Sequence, residues 1–345
     1  MHVRDEILFV GNFLSASGTH RHYCEDLSDR LELRDWQVLR TSHKPGRVAR
    51  LVDMMSAAWR HRHAYRLAHL DVFSGPAFFW AEAVTFELRR LGKPVVLTLR
   101  GGRLPEFAQR WPKRVARLLS SAETVVAPST FLRDAFPDRK QIVVIPNAIE
   151  LASYQSAVRS VIHRLVWVRA FHAIYNPTLA IEVLARLVRS HPDLTLVMIG
   201  ADKLDGSLQA TRARARELGV EPALTIIPGV PKSQVPAHLA GGDVFLNTAN
   251  IDNTPISVIE AMATGLCVVS TNVGGMPHLV RDGHDALLVP PRDPGAMSAA
   301  VSRLLGDAEL ATTLSRNARR HAEELDWSSI VARWEQLFRQ VPDAA

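Results

Sequence analysis

Residues 244–270 read VFLNTANIDNTPISVIEAMATGLCVVS. The stretch opens with an apolar run at 244–247 and passes through a polar turn containing Asp252, Asn253 and Thr254. A helical segment then starts at Pro255 and stops before Gly265, and a second apolar run occupies 267–270. Short runs of β-branched and large apolar residues bounded by turn residues mark strands. Proline at a first helical position behind polar residues marks a helix start. Strands alternating with helix-length segments predict a parallel sheet covered by helices.

The same alternation extends in both directions. Upstream, apolar runs fall at 7–10, 38–40, 71–73, 95–99, 124–127 and 142–145. Around the quoted stretch they fall at 165–168, 194–199, 224–227, 244–247, 267–270 and 286–289. Helical patterns lie between them, as at 178–189, where Leu179, Val183, Leu187 and Val188 repeat on one face. Six strand candidates in each half predict an α/β protein with two similar sheets. Because 345 residues exceed what a single core usually supports, two domains are expected, at 1–155 and 156–325. The seam is placed near residues 146–161, where IVVIPNAI (142–149) gives way to a polar stretch. The remainder, 326–345, reads as a helix with Asp326 as its N-cap, a candidate to return to the first domain.

With 47% hydrophobic and 22% charged residues the composition is that of a globular protein, not of a disordered or fibrous one. The opening MHVRDEILFVGNF has too short an apolar run for a signal peptide, and no stretch approaches the roughly 20 apolar residues of a membrane span. A cytoplasmic location is therefore expected. Cys24 and Cys267 stand alone, without the spacing of a zinc or redox site. His20 and His22 read as loop histidines, and no Asp or His cluster has metal-ligand spacing, so no metal is expected. Charge is uneven: residues 1–164 carry 25 Lys and Arg against 16 Asp and Glu, whereas 165–345 carry 16 against 19. The front half thus suits an anionic partner. Within it, 46–70 (GRVARLVDMMSAAWRHRHAYRLAHL) is basic, with Val48, Leu51, Val52, Met55 and Trp59 near one face. That pattern fits peripheral contact with an anionic membrane, or an apolar stripe packed on the sheet. Nucleic acid is not expected, because no helix-turn-helix, zinc module or aromatic stacking strand is present.

Open α/β sheets bind ligands at the carboxyl ends of their strands, which directs attention to 247–260. Its helix start offers unpaired backbone N–H groups and a favourable dipole for an anion. Glu260 lies among Ile259, Ala261 and Met262, a setting that makes an ionised carboxylate costly without partners. A ribose diol, a basic residue or a backbone amide would each serve. Arg169 ends the strand LVWVR, where a guanidinium is able to bind a diphosphate in bidentate fashion.

The run DNTPISVIEAMATGLCVVSTNVGGMPHLVRDGHDALLVPPRDP (252–294) resembles the donor-site signature of retaining glycosyltransferases of the GT-B fold, in particular family four. That family's hallmark is two glutamates separated by seven residues, and here Asp252 and Glu260 take the two places. VWVRAFHAIYNPTLAIEVL (166–184), LVMIGAD (196–202), TIIPGVPKSQVPAHLAGGDVFLNTA (225–249) and IVVIPNAIE (142–150) are similar to successive elements of the same family. The resemblance implies two facing Rossmann-like domains with a deep cleft, the first binding acceptor and the second a nucleotide sugar. It implies sugar transfer with retention to a glycan, lipid-linked or small-molecule acceptor, in the manner of envelope polysaccharide or glycolipid synthesis, without metal or other cofactor.

Residue by residue, it assigns Glu260 to the ribose hydroxyls and Asp252 to the donor sugar. Asn253, Thr254, Pro255 and Ile256 meet the sugar and diphosphate, Arg169 neutralises the diphosphate, and Gly229 and Val230 cradle the base. Gly11 and Gly18 flank the loop that approaches the diphosphate and the acceptor, and Arg100 stands where many members carry His. Two departures stand out. The lysine expected five or six residues after Arg169 is replaced by Ile174 or Tyr175, with Arg100 a candidate to compensate, and Asp252 is one methylene shorter than the usual Glu. A sugar-nucleotide epimerase and a non-catalytic donor-binding subunit are the alternatives.

Overall fold

Among the described residues twelve strands form two sheets of six, and every strand pairing in them is parallel. The computed structural model describes residues 6–15, 22–137, 141–159 and 163–343. The chain divides into two units, Met1–Asn147 with Trp327–Ala345, and Ala148–Asp326.

In the first unit β1 (Glu6–Val10) leads through α1 (Tyr23–Glu32) to β2 (Gln37–Thr41), and α2 (Arg47–Arg60) connects to β3 (Leu67–Val72). After α3 (Phe78–Arg90) and β4 (Val95–Leu99) come α4 (Leu104–Arg110), α5 (Pro112–Ser120), β5 (Thr124–Ala127), α6 (Thr130–Asp134) and β6 (Ile142–Val144). The strand order is β2-β1-β3-β4-β5-β6. Right-handed crossovers put α2, α3, α5 and α6 on one face, where Met54, Ala58, Phe78, Val84, Leu88 and Leu118 are buried. α1 falls on the other.

The second unit runs β7 (Arg164–Val168), α7 (Pro177–Leu187), β8 (Thr195–Ile199), α8 (Ser207–Leu218), β9 (Leu224–Ile227), α9 (Val235–Ala240) and β10 (Val244–Asn247). It continues with α10 (Ile256–Ala263), β11 (Cys267–Thr271), α11 (Met276–Leu279), β12 (Leu287–Val289), α12 (Pro294–Gly306) and α13 (Ala308–Glu323). Its order is β12-β11-β10-β7-β8-β9. α14 (Trp327–Gln340) belongs to the first unit and packs on α1. Asp326, which precedes it, accepts at Oδ2 from the Leu151 N–H at 3.1 Å.

Two boundaries differ from those read in the sequence. The units part after Asn147, so residues 148–155 belong to the second: Ile149 N–H donates to the Leu325 carbonyl at 3.1 Å. β3 starts at Leu67 instead of residue 71 because His69, which interrupts the apolar pattern, is wholly buried. Its Nε2 lies 2.7 Å from Thr98 Oγ1. The ring packs 4.6 Å from Phe9 and 5.4 Å from Trp334 of α14, centroid to centroid.

Burial pushes the His69 pKa down to about 4, with Asp71 acting weakly against it. The folded value lies below the unfolded one, near 6.5. The neutral ring therefore contributes stability that is complete above pH 6.5 and lost as pH falls towards 4. This group alone is expected to remove roughly 3 kcal/mol of stability between pH 7 and 4. Urea unfolding across that range should show the difference between the wild type and His69→Phe, which keeps a ring and cannot titrate. Equal slopes for the two would contradict the assignment.

Candidate functional site

In the second sheet the chain moves from β7 outward to β8 and β9, then returns to β10 on the opposite side of β7. Such a reversal opens a crevice beyond the strand ends. Two chain segments enter it. Arg169 follows β7 directly, its N–H donating to the Ile199 carbonyl at 3.0 Å. The loop after β10 carries Asp252 to α10.

The two side chains meet. Arg169 Nη2 donates to Asp252 Oδ2 in a close ion pair whose side chains are only 17% and 11% exposed. Asp252 Oδ1 accepts from the Asn253 N–H at 3.0 Å. The Arg169 guanidinium also lies over the Tyr175 ring, 4.5 Å from its centroid, so the position where the lysine was missed carries an aromatic platform. Burial by itself would lower the Arg169 pKa. Asp252, Tyr175 and Glu260 outweigh it and hold the group above its ordinary value. The cation is permanent.

α10 begins one residue later than read from the sequence. Pro255 has extended backbone (φ −68°, ψ 119°) and serves as the N-cap, so its fixed φ shapes the entry to the helix. The first helical N–H groups, beginning with Ile256, have no intrahelical carbonyl ahead of them. Asn253 and Thr254 are buried in the turn before them. Ser257 Oγ and Arg169 Nε are buried with no hydrogen-bond partner among the described residues.

Glu260, 6% exposed, accepts at Oε1 from the Tyr154 hydroxyl at 2.8 Å. Burial pushes its pKa up, opposed by the Tyr154 hydrogen bond and by the charges of Lys232 and Arg169. Neither Tyr154 nor Lys232 was legible as a site residue: one lies in the polar stretch after the junction, the other in a short turn before α9. Gly229 N–H donates to the Gly200 carbonyl at 3.0 Å, and Val230 packs against the α10 side of the core.

Tyr154→Phe should destabilise the second unit by roughly 1.5–3 kcal/mol at neutral pH, the contribution of a hydrogen bond to a charged group. It also removes a force holding the Glu260 pKa down, so the Glu260 carboxyl should titrate at higher pH. Urea unfolding reads the first effect and an NMR titration of the carboxyl the second; an unmoved titration would reject the coupling.

The first unit holds the remaining predicted residues. Gly11 follows β1, its N–H donating to the Thr41 carbonyl at 2.7 Å. Arg100 follows β4 and is buried. Its Nε donates to Asp71 Oδ1 at 2.9 Å and its Nη1 to Asn147 Oδ1 at 3.0 Å. Its guanidinium lies 4.3 Å from the centre of the Tyr23 ring. Gly18 and His20 lie outside the described residues. Among the described residues no group of three or more His, Cys, Asp or Glu is arranged to hold a metal ion, and no helix is long and apolar enough to cross a membrane.

Two six-stranded parallel sheets in this order define the GT-B class. Sucrose-phosphate synthase from Thermosynechococcus elongatus matches with a TM-score of 0.82 at 19% identity, over 97% of this chain and 98% of that one. Anabaena HepE, solved with UDP and glucose, matches with a TM-score of 0.78 at 19% identity, over 97% and 99%. A family model described as Glycosyl transferases group 1 matches residues 164–321, and one described as Glycosyltransferase Family 4 matches 14–153. The chain belongs to this glycosyltransferase family.

Among similar sequences is the D-inositol 3-phosphate glycosyltransferase of Acidothermus cellulolyticus, 25% identical over 279 residues, 73% of this chain and 60% of that protein. Its counterpart in Corynebacterium urealyticum is 28% identical over 172 residues, 48% of this chain and 40% of that protein. The matches thus span about 40 to 60% of the length of these relatives.

Proposed function

We propose that this protein transfers a sugar from a nucleoside-diphosphate sugar to a glycan, lipid-linked or small-molecule acceptor, with retention of configuration and without a metal, in the cytoplasm. The observation that carries this reading is a convergence at one switch point. A permanent cation with a spare buried Nε, a helix start with an unpartnered Ser257 Oγ, and a buried carboxylate held by Tyr154 all come together there. A diphosphate suits the first two, and ribose hydroxyls suit the Glu260 oxygen that Tyr154 leaves available. HepE binding UDP and glucose on the same fold supports the donor class.

In the reaction the bond between C1 of the sugar and the β-phosphate oxygen breaks with both electrons going to phosphate. Arg169 and the first amides of α10 are the groups that take up that charge, which is why a metal is dispensable in this reading. The acceptor hydroxyl forms the new bond to C1, and its proton passes to the departing β-phosphate oxygen. Asp252 holds Arg169 and meets the sugar hydroxyls with its remaining lone pairs, Gly229 and Val230 receive the base, and the first unit with Gly11 and Arg100 receives the acceptor.

Thermal-shift titration with UDP, GDP and ADP tests the reading, since a ligand bound only by the folded state raises apparent stability. One nucleotide should raise the melting temperature of the wild type but not of Glu260→Ala, which should bind at least about 30-fold more weakly. No shift with any of the three would overturn the donor assignment. Binding without turnover of the matching sugar nucleotide would leave a non-catalytic subunit.

A further inference from the structure

The apolar stripe of residues 46–70 divides in the fold. Met54 and Ala58 are buried against the first sheet, with Leu51 and Met55 packed beside them. Val48, Val52 and Trp59 remain outside, 78%, 61% and 54% exposed. At about 100° per residue these three fall within about 40° of one another and form one row along α2. The neighbouring α3 carries a second row, Phe79 and Phe86, 53% and 64% exposed. Trp111 stands where α4 passes into α5. These six account for most of the ten exposed large apolar side chains among the described residues. Soluble monomers rarely gather exposed apolar surface in one place without a use for it.

The charge around the rows is positive. Lys44, Arg47, Arg60 and Arg62 surround the α2 row, α3 ends in Arg89 and Arg90, and Arg110 and Lys113 flank Trp111. Arginines lie over three of the exposed rings: Arg62 over Trp59 at 4.5 Å, Arg90 over Phe86 at 5.8 Å and Arg110 over Trp111 at 5.9 Å. A groove of about 470 Å³, walled by Pro105, Ala108, Pro112, Leu119 and Phe136, adjoins Trp111 through Pro112. An aromatic ring that enters the boundary between headgroups and acyl chains, with a cation beside it for lipid phosphate, is the chemistry of an anionic bilayer surface.

We propose that the outer side of α2, α3 and the α4–α5 corner docks on an anionic membrane. This deepens the acceptor reading above by selecting the lipid-linked class, while the docking itself stands on the first unit alone.

Cosedimentation of the full chain with vesicles tests it. Vesicles containing phosphatidylglycerol should bind at least tenfold more tightly than pure phosphatidylcholine, at about fivefold per engaged charge, and the difference should shrink as salt rises. Trp59→Ser with Phe86→Ser should lose about tenfold or more on anionic vesicles. Arg60→Glu with Arg62→Glu should abolish the preference for anionic lipid. Trp59, Arg60 and Phe86 are exposed and Arg62 is half-buried beside Trp59, so both variants should melt close to the wild type and keep its nucleotide shift. Equal binding to the two vesicle types, no binding, or variants that bind as the wild type does would overturn the proposal. Docking without a nucleotide shift would overturn the donor reading alone.

Discussion

Arg169→Ala is expected to cut sugar transfer about 10²- to 10³-fold, the loss typical of removing one preorganised group that meets developing negative charge. It should also destabilise the second unit. Among the described residues the Asp252 carboxylate would keep the Asn253 N–H as its partner, and removing one member of a buried pair costs about 3–5 kcal/mol. The Arg169–Asp252 side chains retain 17% and 11% exposure, which places the expected loss at the low end, about 3 kcal/mol. The two effects separate in Arg169→Met combined with Asp252→Leu, which removes both charges of the pair together. That variant should recover most of the stability in urea unfolding and none of the transfer. Arg169→Lys keeps the charge but not the planar fork over Tyr175, and should fall between wild type and alanine. Transfer restored in the double variant would remove Arg169 from the reaction.

Gly200→Ala should be the most damaging glycine-to-alanine change among the described residues. A Cβ there would stand 1.6 Å from the Arg169 carbonyl oxygen, so β7 and β8 would have to part at the end where Arg169 is presented. The same displacement threatens the bonds from Arg169 N–H to Ile199 and from Gly200 N–H to Ile227. A loss of more than about 4 kcal/mol is expected, enough to leave little folded second unit at physiological temperature. Gly274→Ala should act on the opposite wall. Its Cβ would lie 2.0 Å from the Asp252 carbonyl oxygen, at φ +52°, and nucleotide binding should fail along with stability. Gly306→Ala is the control: no atom lies within 4 Å of the added methyl, and helix propensity predicts a neutral or slightly stabilising change of about 0.5 kcal/mol. Circular dichroism melts of the three variants rank them; a Gly200→Ala protein as stable as Gly306→Ala would show that the strand ends yield freely.

The strands were legible because their signal is local. Apolar runs of four to six residues between turn residues declare a buried parallel strand wherever it lies, and all twelve formed close to where they were read. β3 was placed late because its pattern breaks at His69, whose Nε2 meets Thr98 and whose ring packs on rings from distant elements. The places of Arg169 after β7, of the Asp252 loop after β10 and of Glu260 in the helix that follows were also legible, since the strand-end rule directs attention to these segments. Tyr154 and Lys232 had no such signal. Nothing in the local pattern distinguishes a tyrosine in a polar connector from an ordinary surface residue.

By itself the sequence determined two parallel α/β sheets, the loops that would serve the site and the basic character of the front half, all properties set by neighbours within a few residues. Tertiary structure alone decided the pairings: Arg169 with Asp252 across 83 residues, Tyr154 with Glu260 across 106, and α14 on the first sheet instead of beside the second. It also decided which side of α2 faces the core, leaving Val48, Val52 and Trp59 in solvent. Periodicity sets which residues share a face, but burial depends on strand order and register, which join segments far apart in the chain.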